Sequence, residues 1–149
     1  MVRREKGKTI RVGVIGVGNC FAGLIQGIEY YGRHPREEVI GLMHRRIGPY
    51  PISAIDFVSA FDVGANKVGR PLFEAVYASP NLVKWLTLPR RGNKVKVLEA
   101  PIADGVGIYV ANKIKPVKRP TKLPVLRERI IEEIRRTHTE ILVNYLPVG

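Results

Sequence analysis

The sequence predicts an α/β fold, a doubly wound parallel sheet, and three observations predict it. Residues 10–15, Ile10-Arg11-Val12-Gly13-Val14-Ile15, form a short β-branched run that breaks into Gly16-Val17-Gly18 and resumes with helical spacing at Leu24, Ile25 and Ile28. Further short apolar runs at 55–61, 95–98 and 140–145 alternate with stretches of helical or loop character, the order that builds parallel strands joined by right-handed crossovers. An acid, Asp62, directly follows the second run.

Strand, glycine turn and helix in that order make the phosphate-cradling start of a Rossmann-type, dinucleotide-binding unit. Gly16 allows the tight turn, and Gly18, without a side chain, lets a pyrophosphate approach the backbone. The helix behind them offers free N–H groups and the positive end of its dipole to an anion. One position departs from the G-x-G-x-x-G pattern: the third glycine is replaced by Phe21. Asp62, at the end of the second strand, is expected to accept both ribose hydroxyls of an adenosine and to repel a 2′-phosphate, which favours NAD over NADP. Lys67 and Arg70 follow closely and temper that preference. The structural alternative for Asp62 is a strand-end cap.

Taken in order, residues 1–9 read as a basic flexible arm and 10–149 as one partial Rossmann-type domain. The first strand covers 9–15 and the first helix 19–31, ended by Gly32, His34 and Pro35. Residues 32–54 form a long connection with apolar and aromatic members, expected to be an ordered loop near the site or at a subunit contact. The connection also explains why Asp62 lies further from the glycines than the usual ~20 residues. After the second strand, 63–78 carries a helical element, with Pro71 in its first turn and Leu72, Ala75 and Val76 inward. The third strand is 95–98, and Asp104-Gly105-Val106-Gly107 is a turn or helix start near the strand ends. Residues 113–122 hold five basic residues and two prolines, a surface loop. Residues 124–137 form a helix with Leu126, Ile130 and Ile134 in register, Ile131 beside them, and a Glu132–Arg136 pair on the polar side. The fourth strand is 140–145. The expected strand order, 3-2-1-4, gathers Gly16–Cys20, Asp62 and 145–149 at one crevice, where ligands of such sheets bind.

Composition narrows the function classes. With 149 residues and 45% hydrophobic content the chain suits one soluble domain, and no uninterrupted apolar run is long enough to cross a bilayer. Arg11 and Asn19 interrupt the apolar stretch behind the basic start, so it does not read as a signal peptide. A single cysteine excludes an internal disulfide framework and points to the cytoplasm. Cys20 reads as a small turn residue. His34, His44 and His138 are scattered without ligand spacing, so no metal site is expected. The net charge is +12, and from Lys84 to Lys122 ten basic residues face two acids, Glu99 and Asp104, a local +8. That block leaves a second function class open, a non-catalytic module for nucleic acid or another polyanion. No aromatic interleaving accompanies it, so a solvated basic surface is the plainer reading and nucleic acid is not the expected partner.

Arg11 to Cys20, Gln26 to Tyr31, Gly41-Leu42-Met43-His44, Gly48-Pro49-Tyr50, Ala60-Phe61-Asp62-Val63, Lys67-Val68-Gly69 and Val143 to Gly149 together resemble the archaeal and actinobacterial type of myo-inositol-1-phosphate synthase (inositol-3-phosphate synthase). The match begins near residue 10, is strong at both ends and is thin between Ala78 and Leu123. The resemblance implies an isomerase that converts glucose 6-phosphate to inositol 3-phosphate, oxidising the sugar with bound NAD, closing it by an aldol step and returning the hydride. It implies cofactor contacts from Gly16, Val17, Gly18, Asn19, Cys20 and Asp62, and further from Asp104, Tyr145, Leu146 and Pro147. The family's chains are more than twice as long and oligomeric, and their sugar-handling lysines lie beyond the Leu-Pro-Val-Gly segment. No catalytic residue is therefore carried over. The resemblance implies the NAD-binding portion with an incomplete second half of the sheet, inactive alone and completed by a separate chain, or else an inactive gene remnant. The family's small residue at Phe21 and acid at Gly64 are both absent here, and its Leu-Asp-Gly segment stands as Ala103-Asp104-Gly105.

Overall fold

The computed structural model describes residues 8–34, 40–89, 94–102, 105, 107–108, 111–118 and 120–146. The chain enters through β1 (Ile10–Ile15), turns at Gly16 and continues as α1 (Asn19–Arg33). The helix runs two residues past the expected Tyr31. Gly32 is accommodated within its last turn, and His34 caps it. Between α1 and the next long strand lies a small antiparallel hairpin, β2 (Arg46–Ile47) and β3 (Tyr50–Pro51), turned at Gly48 with φ +55°. A single 3-10 turn, Ile52–Ala54, follows and packs against α1. The long connection is thus ordered where it is described, held by its own strand pair.

β4 (Ile55–Asp62) leads through turns to the short α2 (Leu72–Ala75), then come β5 (Val97–Glu99), α3 (Leu123–Arg136) and β6 (Ile141–Asn144). The expected helical element over 63–78 contracts to the one turn of α2. Gly64 is drawn into a bridge with Pro116, and the turn that follows ends at Gly69 with φ +84°, a conformation that stops a helix. Pro71 stands immediately before α2, and Leu72, Ala75 and Val76 are buried, as the sequence predicts.

The four long strands form one sheet in the order β5-β4-β1-β6, every neighbouring pair parallel. In chain order that is 3-2-1-4, as expected. The core fills the α1 face. Val12 and Val14 of β1 and Phe57 and Ala60 of β4 meet Phe21, Ala22 and Ile25 of α1, with Leu72, Ala75, Val76 and Leu88 closing the layer. The right-handed crossover from β5 to β6 places α3 on the other face, with Leu126 as its buried residue; Ile131 is 39% exposed. The polar side of α3 pairs differently from expectation. Arg136 grips Glu133 through Nε at 2.9 Å and Nη2 at 2.7 Å, a bidentate fork that Glu132 does not make.

The register of β1 against β4 slips once. Val12 faces Phe57 but Gly13 faces Ser59, so Val58 is an extra residue. Gly13 is where the chain needs no side chain: a Cβ there would lie 2.5 Å from Ser59 Oγ and 2.6 Å from Leu142 Cδ2. Ser59 in turn hydrogen-bonds Thr139 at 2.9 Å, and Thr139 bonds Thr137 at 2.8 Å, which ties the end of α3 to the sheet.

Candidate functional site

The turn after β1 is built from backbone outward. Gly16 adopts φ +89°, its N–H bonds Phe61 O at 2.8 Å, and a Cβ on it would press on the Tyr145 carbonyl carbon at 3.1 Å and Leu146 N at 3.2 Å. Glycine is required here both for the dihedral and for the close approach of residues 145–146. Tyr145 N–H donates to Ile15 O at 2.8 Å, which runs that segment alongside the turn. Gly18 differs. Its dihedrals, φ −93° and ψ −166°, suit any residue, and a Cβ on it would meet nothing within 4 Å. Neither strain nor packing within the chain asks for glycine at 18; the position faces open space.

Behind that space α1 begins without a side-chain cap and without an acid in its first turn. The first N–H groups of an α-helix lack intrahelical acceptors and carry the positive end of its dipole. Cys20 stands exposed in this first turn. The arrangement can receive an anionic group against backbone, with no positive side chain needed.

Phe21, the departure from the glycine pattern, is completely buried. Its ring meets Phe57 edge-on at 4.9 Å and lies 6.4 Å from the Tyr145 ring. Where a third glycine lets helix and strand pack closely, this chain instead buries an aromatic ring between α1 and the sheet.

Asp62 is brought to the turn but faces into it. Oδ2 accepts Val17 N–H at 2.8 Å and Oδ1 accepts Gly64 N–H at 2.7 Å, and the residue is only 7% exposed. The structural alternative, an acid capping backbone donors at a strand end, is realised here. The expected carboxylate presented to a ribose is not what these atoms make.

Lys67 completes the brace. Its ammonium, buried, donates to Val17 O at 2.8 Å and to Asn81 Oδ1 at 3.1 Å, and stands 3.8 Å from Asp62. Asn81 donates to the same Val17 carbonyl at 2.9 Å. Val17 is thereby held at both its N–H and its C=O. Asn19 uses Oδ1 to accept Leu82 N–H at 2.8 Å and Val83 N–H at 3.1 Å. Gln26, fully buried, donates through Nε2 to Val83 O at 3.0 Å and accepts the N–H groups of Trp85 and Leu86 at Oε1, each at 2.9 Å. Asn81 and Gln26 are the supporting residues that pattern reading does not single out, because a lone amide has no periodic signature; Lys67, expected to temper the cofactor preference, instead braces the turn.

Burial pushes Lys67 below its ordinary value of 10.5, and the Asp62 carboxylate pulls it partly back. The unfolded chain therefore keeps this proton to higher pH than the folded one. The stability tied to Lys67 is full above its unfolded value and is lost as pH falls through the depressed folded value. Relative to Lys67→Met, the native chain should gain stability as pH rises through the depressed folded value toward the unfolded lysine value; denaturant melts of both proteins from neutral into alkaline pH check it.

Of the expected cofactor residues, Gly16, Val17, Gly18, Asn19, Cys20, Asp62, Tyr145 and Leu146 converge at the carboxyl ends of β1, β4 and β6. Asp104 and Pro147 lie outside the described residues. Among the described residues no group of His, Cys, Asp and Glu is arranged to hold a metal, and no helix is long and apolar enough to cross a membrane. A groove of about 590 Å³ opens at the opposite, amino ends of the strands, lined by Arg11, Asp56, Lys94, Lys96 and the Glu133–Arg136 pair. It is remote from the turn. The basic block is split by the sheet: Lys94 and Lys96 lie at that amino side, while the segment with Lys115 pairs with residues beyond the carboxyl end of β4. No single basic face results from it among the described residues.

The chain is 39% identical over 147 residues to the inositol-3-phosphate synthase of Mycolicibacterium smegmatis, a match covering 97% of this chain and 38% of the relative. It is 43% identical over 143 residues to that of Corynebacterium glutamicum, covering 95% and 37%. The crystal structure of Ari2 superposes with a TM-score of 0.72 at 33% identity, over 95% of this chain and 39% of that one. A myo-inositol-1-phosphate synthase-related protein from Thermotoga maritima, 22% identical, shares the fold with a TM-score of 0.61 over 92% and 34%. No family model matches the chain. The chain spans a little over a third of the length of the curated relatives it matches. Over that span the chain is homologous in sequence to inositol-3-phosphate synthases.

Proposed function

We propose that this chain is the NAD-binding portion of an inositol-3-phosphate synthase. One observation carries the reading: Gly18 has neither a dihedral nor a packing reason to be glycine, yet it borders the uncapped start of α1. A pyrophosphate seated there would take the first-turn N–H groups of α1 and the space a Cβ would fill. Gly16 and the Asp62–Lys67–Asn81 brace would hold the turn in shape. Bound NAD would supply the hydride chemistry. In this reading the substrate is glucose 6-phosphate, the product inositol 3-phosphate, and the sugar-handling groups come from the part of the family's length that this chain does not span.

The expected result is saturable NAD binding by the 149-residue chain, with Kd between about 10 μM and 1 mM, and no conversion of glucose 6-phosphate. Gly18→Ala separates ligand from fold. Its melt should stay within about 1 kcal/mol of the native chain, while NAD affinity by titration calorimetry falls at least about tenfold. Equal affinity in both proteins, or no binding to either, overturns the assignment.

A further inference from the structure

We propose that this crevice accepts a 2′-phosphorylated dinucleotide, NADP, on nearly the same footing as NAD, and that Asp62 is a positioning residue and not the reader of the ribose. The proposal rests on the dinucleotide reading above and sharpens it.

An acid at the end of this strand excludes NADP only when its charge faces the ribose edge. Here both oxygens of Asp62 accept backbone N–H groups, Val17 at 2.8 Å and Gly64 at 2.7 Å, and its counter-ion Lys67 is buried beside it. The next strand end repeats the pattern. Glu99 accepts Thr121 N–H through Oε1 at 2.9 Å and the Thr121 hydroxyl through Oε2 at 2.7 Å. Both acids closing the carboxyl ends of β4 and β5 are therefore engaged locally. Two residues beyond Asp62 comes Gly64, which presents no side chain.

Positive charge lies on the other side of the same position. Residues 115–117 run antiparallel along 63–65: Ala65 N–H donates to Lys115 O at 2.9 Å, Val117 N–H to Val63 O at 3.2 Å, and Gly64 bridges Pro116. That segment brings the exposed Lys113, Lys115 and Lys118 to the end of β4. A 2′-phosphate there meets no outward-facing carboxylate from β4 or β5 and a locally basic rim, the arrangement that tolerates the extra charge.

Titration calorimetry of the full chain with NAD and NADP, at one ionic strength, tests this. The expected NADP affinity is within about tenfold of that for NAD. Asp62→Asn should weaken both ligands by a similar factor, leaving their ratio within about twofold. The triple variant Lys113→Ala, Lys115→Ala, Lys118→Ala, entirely on the surface, should shift the ratio against NADP by at least about fivefold. NADP bound more than tenfold more weakly than NAD by the native chain overturns the proposal, as does a selective gain in NADP affinity in Asp62→Asn. Where Asp62→Asn fails to fold, the native ratio and the lysine variant decide. Absence of binding by both dinucleotides removes the reading beneath the proposal and the proposal with it.

Discussion

Asp62→Ala should cost about 3–5 kcal/mol of folding stability at neutral pH, the range for breaking one side of a buried ion pair. The loss has three parts. The N–H groups of Val17 and Gly64 lose their acceptor, and the Lys67 ammonium loses its counter-charge while still tied to the Val17 carbonyl. None of these groups reaches water without opening the turn. Denaturant melts at pH 7 measure the effect, and a cycle with Lys67→Met identifies its source. The double variant should fall short of the sum by about 1–3 kcal/mol, because removing Asp62 costs less once the charge it balances is gone. A loss under about 1 kcal/mol for Asp62→Ala would mean that the brace does not carry the turn.

Phe21→Gly, which restores the glycine pattern, should destabilise the chain. Truncating a buried phenylalanine to alanine costs about 3–5 kcal/mol, and glycine in a helix interior about 1 kcal/mol more. Small domains hold about 5–15 kcal/mol in total, so the variant should melt at the edge of folding. Phe21 also joins two parts of the site, touching Phe57 of the sheet and Tyr145 beside the turn. Phe21→Leu keeps most of the volume and should recover more than half the loss, again read from the melt. Unchanged melting of Phe21→Gly would contradict the packing seen here.

The parts legible in the sequence are those whose signal is periodic or positional. The runs of β1, β4 and β6 alternate with helical spacing, and that alternation forces parallel pairing in the order observed. The glycine turn and its convergence with Asp62 and Tyr145–Leu146 follow from the same order. What stayed hidden depends on side-chain direction. A carboxylate at a strand end reads identically whether it faces a ligand or its own backbone, so position alone does not decide between a ribose and the backbone for Asp62. Phe21 reads as a departure from the motif because spacing does not show that its ring packs against Phe57. The inward spacing of Leu72, Ala75 and Val76 reads as a longer helix, because spacing does not show that Gly64 is drawn into a bridge or that Gly69 takes a positive φ. The amide clamps of Asn19, Gln26 and Asn81 carry no pattern at all.

The extra residue in β4 has a consequence for the whole site. Side chains along a strand alternate faces, so one surplus residue reverses the parity of everything after it. Before Val58, Phe57 faces α1; after it, Ala60 faces α1 and Ser59 faces the other side, where it bonds Thr139. Asp62, two steps beyond Ala60, inherits that phase and so points at Val17. Excising Val58 would therefore leave Ser59, Ala60 and Asp62 on their present faces in an unbroken ladder, whereas pairing Val58 regularly with Gly13 would swing the carboxylate to the opposite face of the sheet. The aim of the site's central acid is thus encoded four residues upstream, in the phase of a strand and not in any residue of the turn itself.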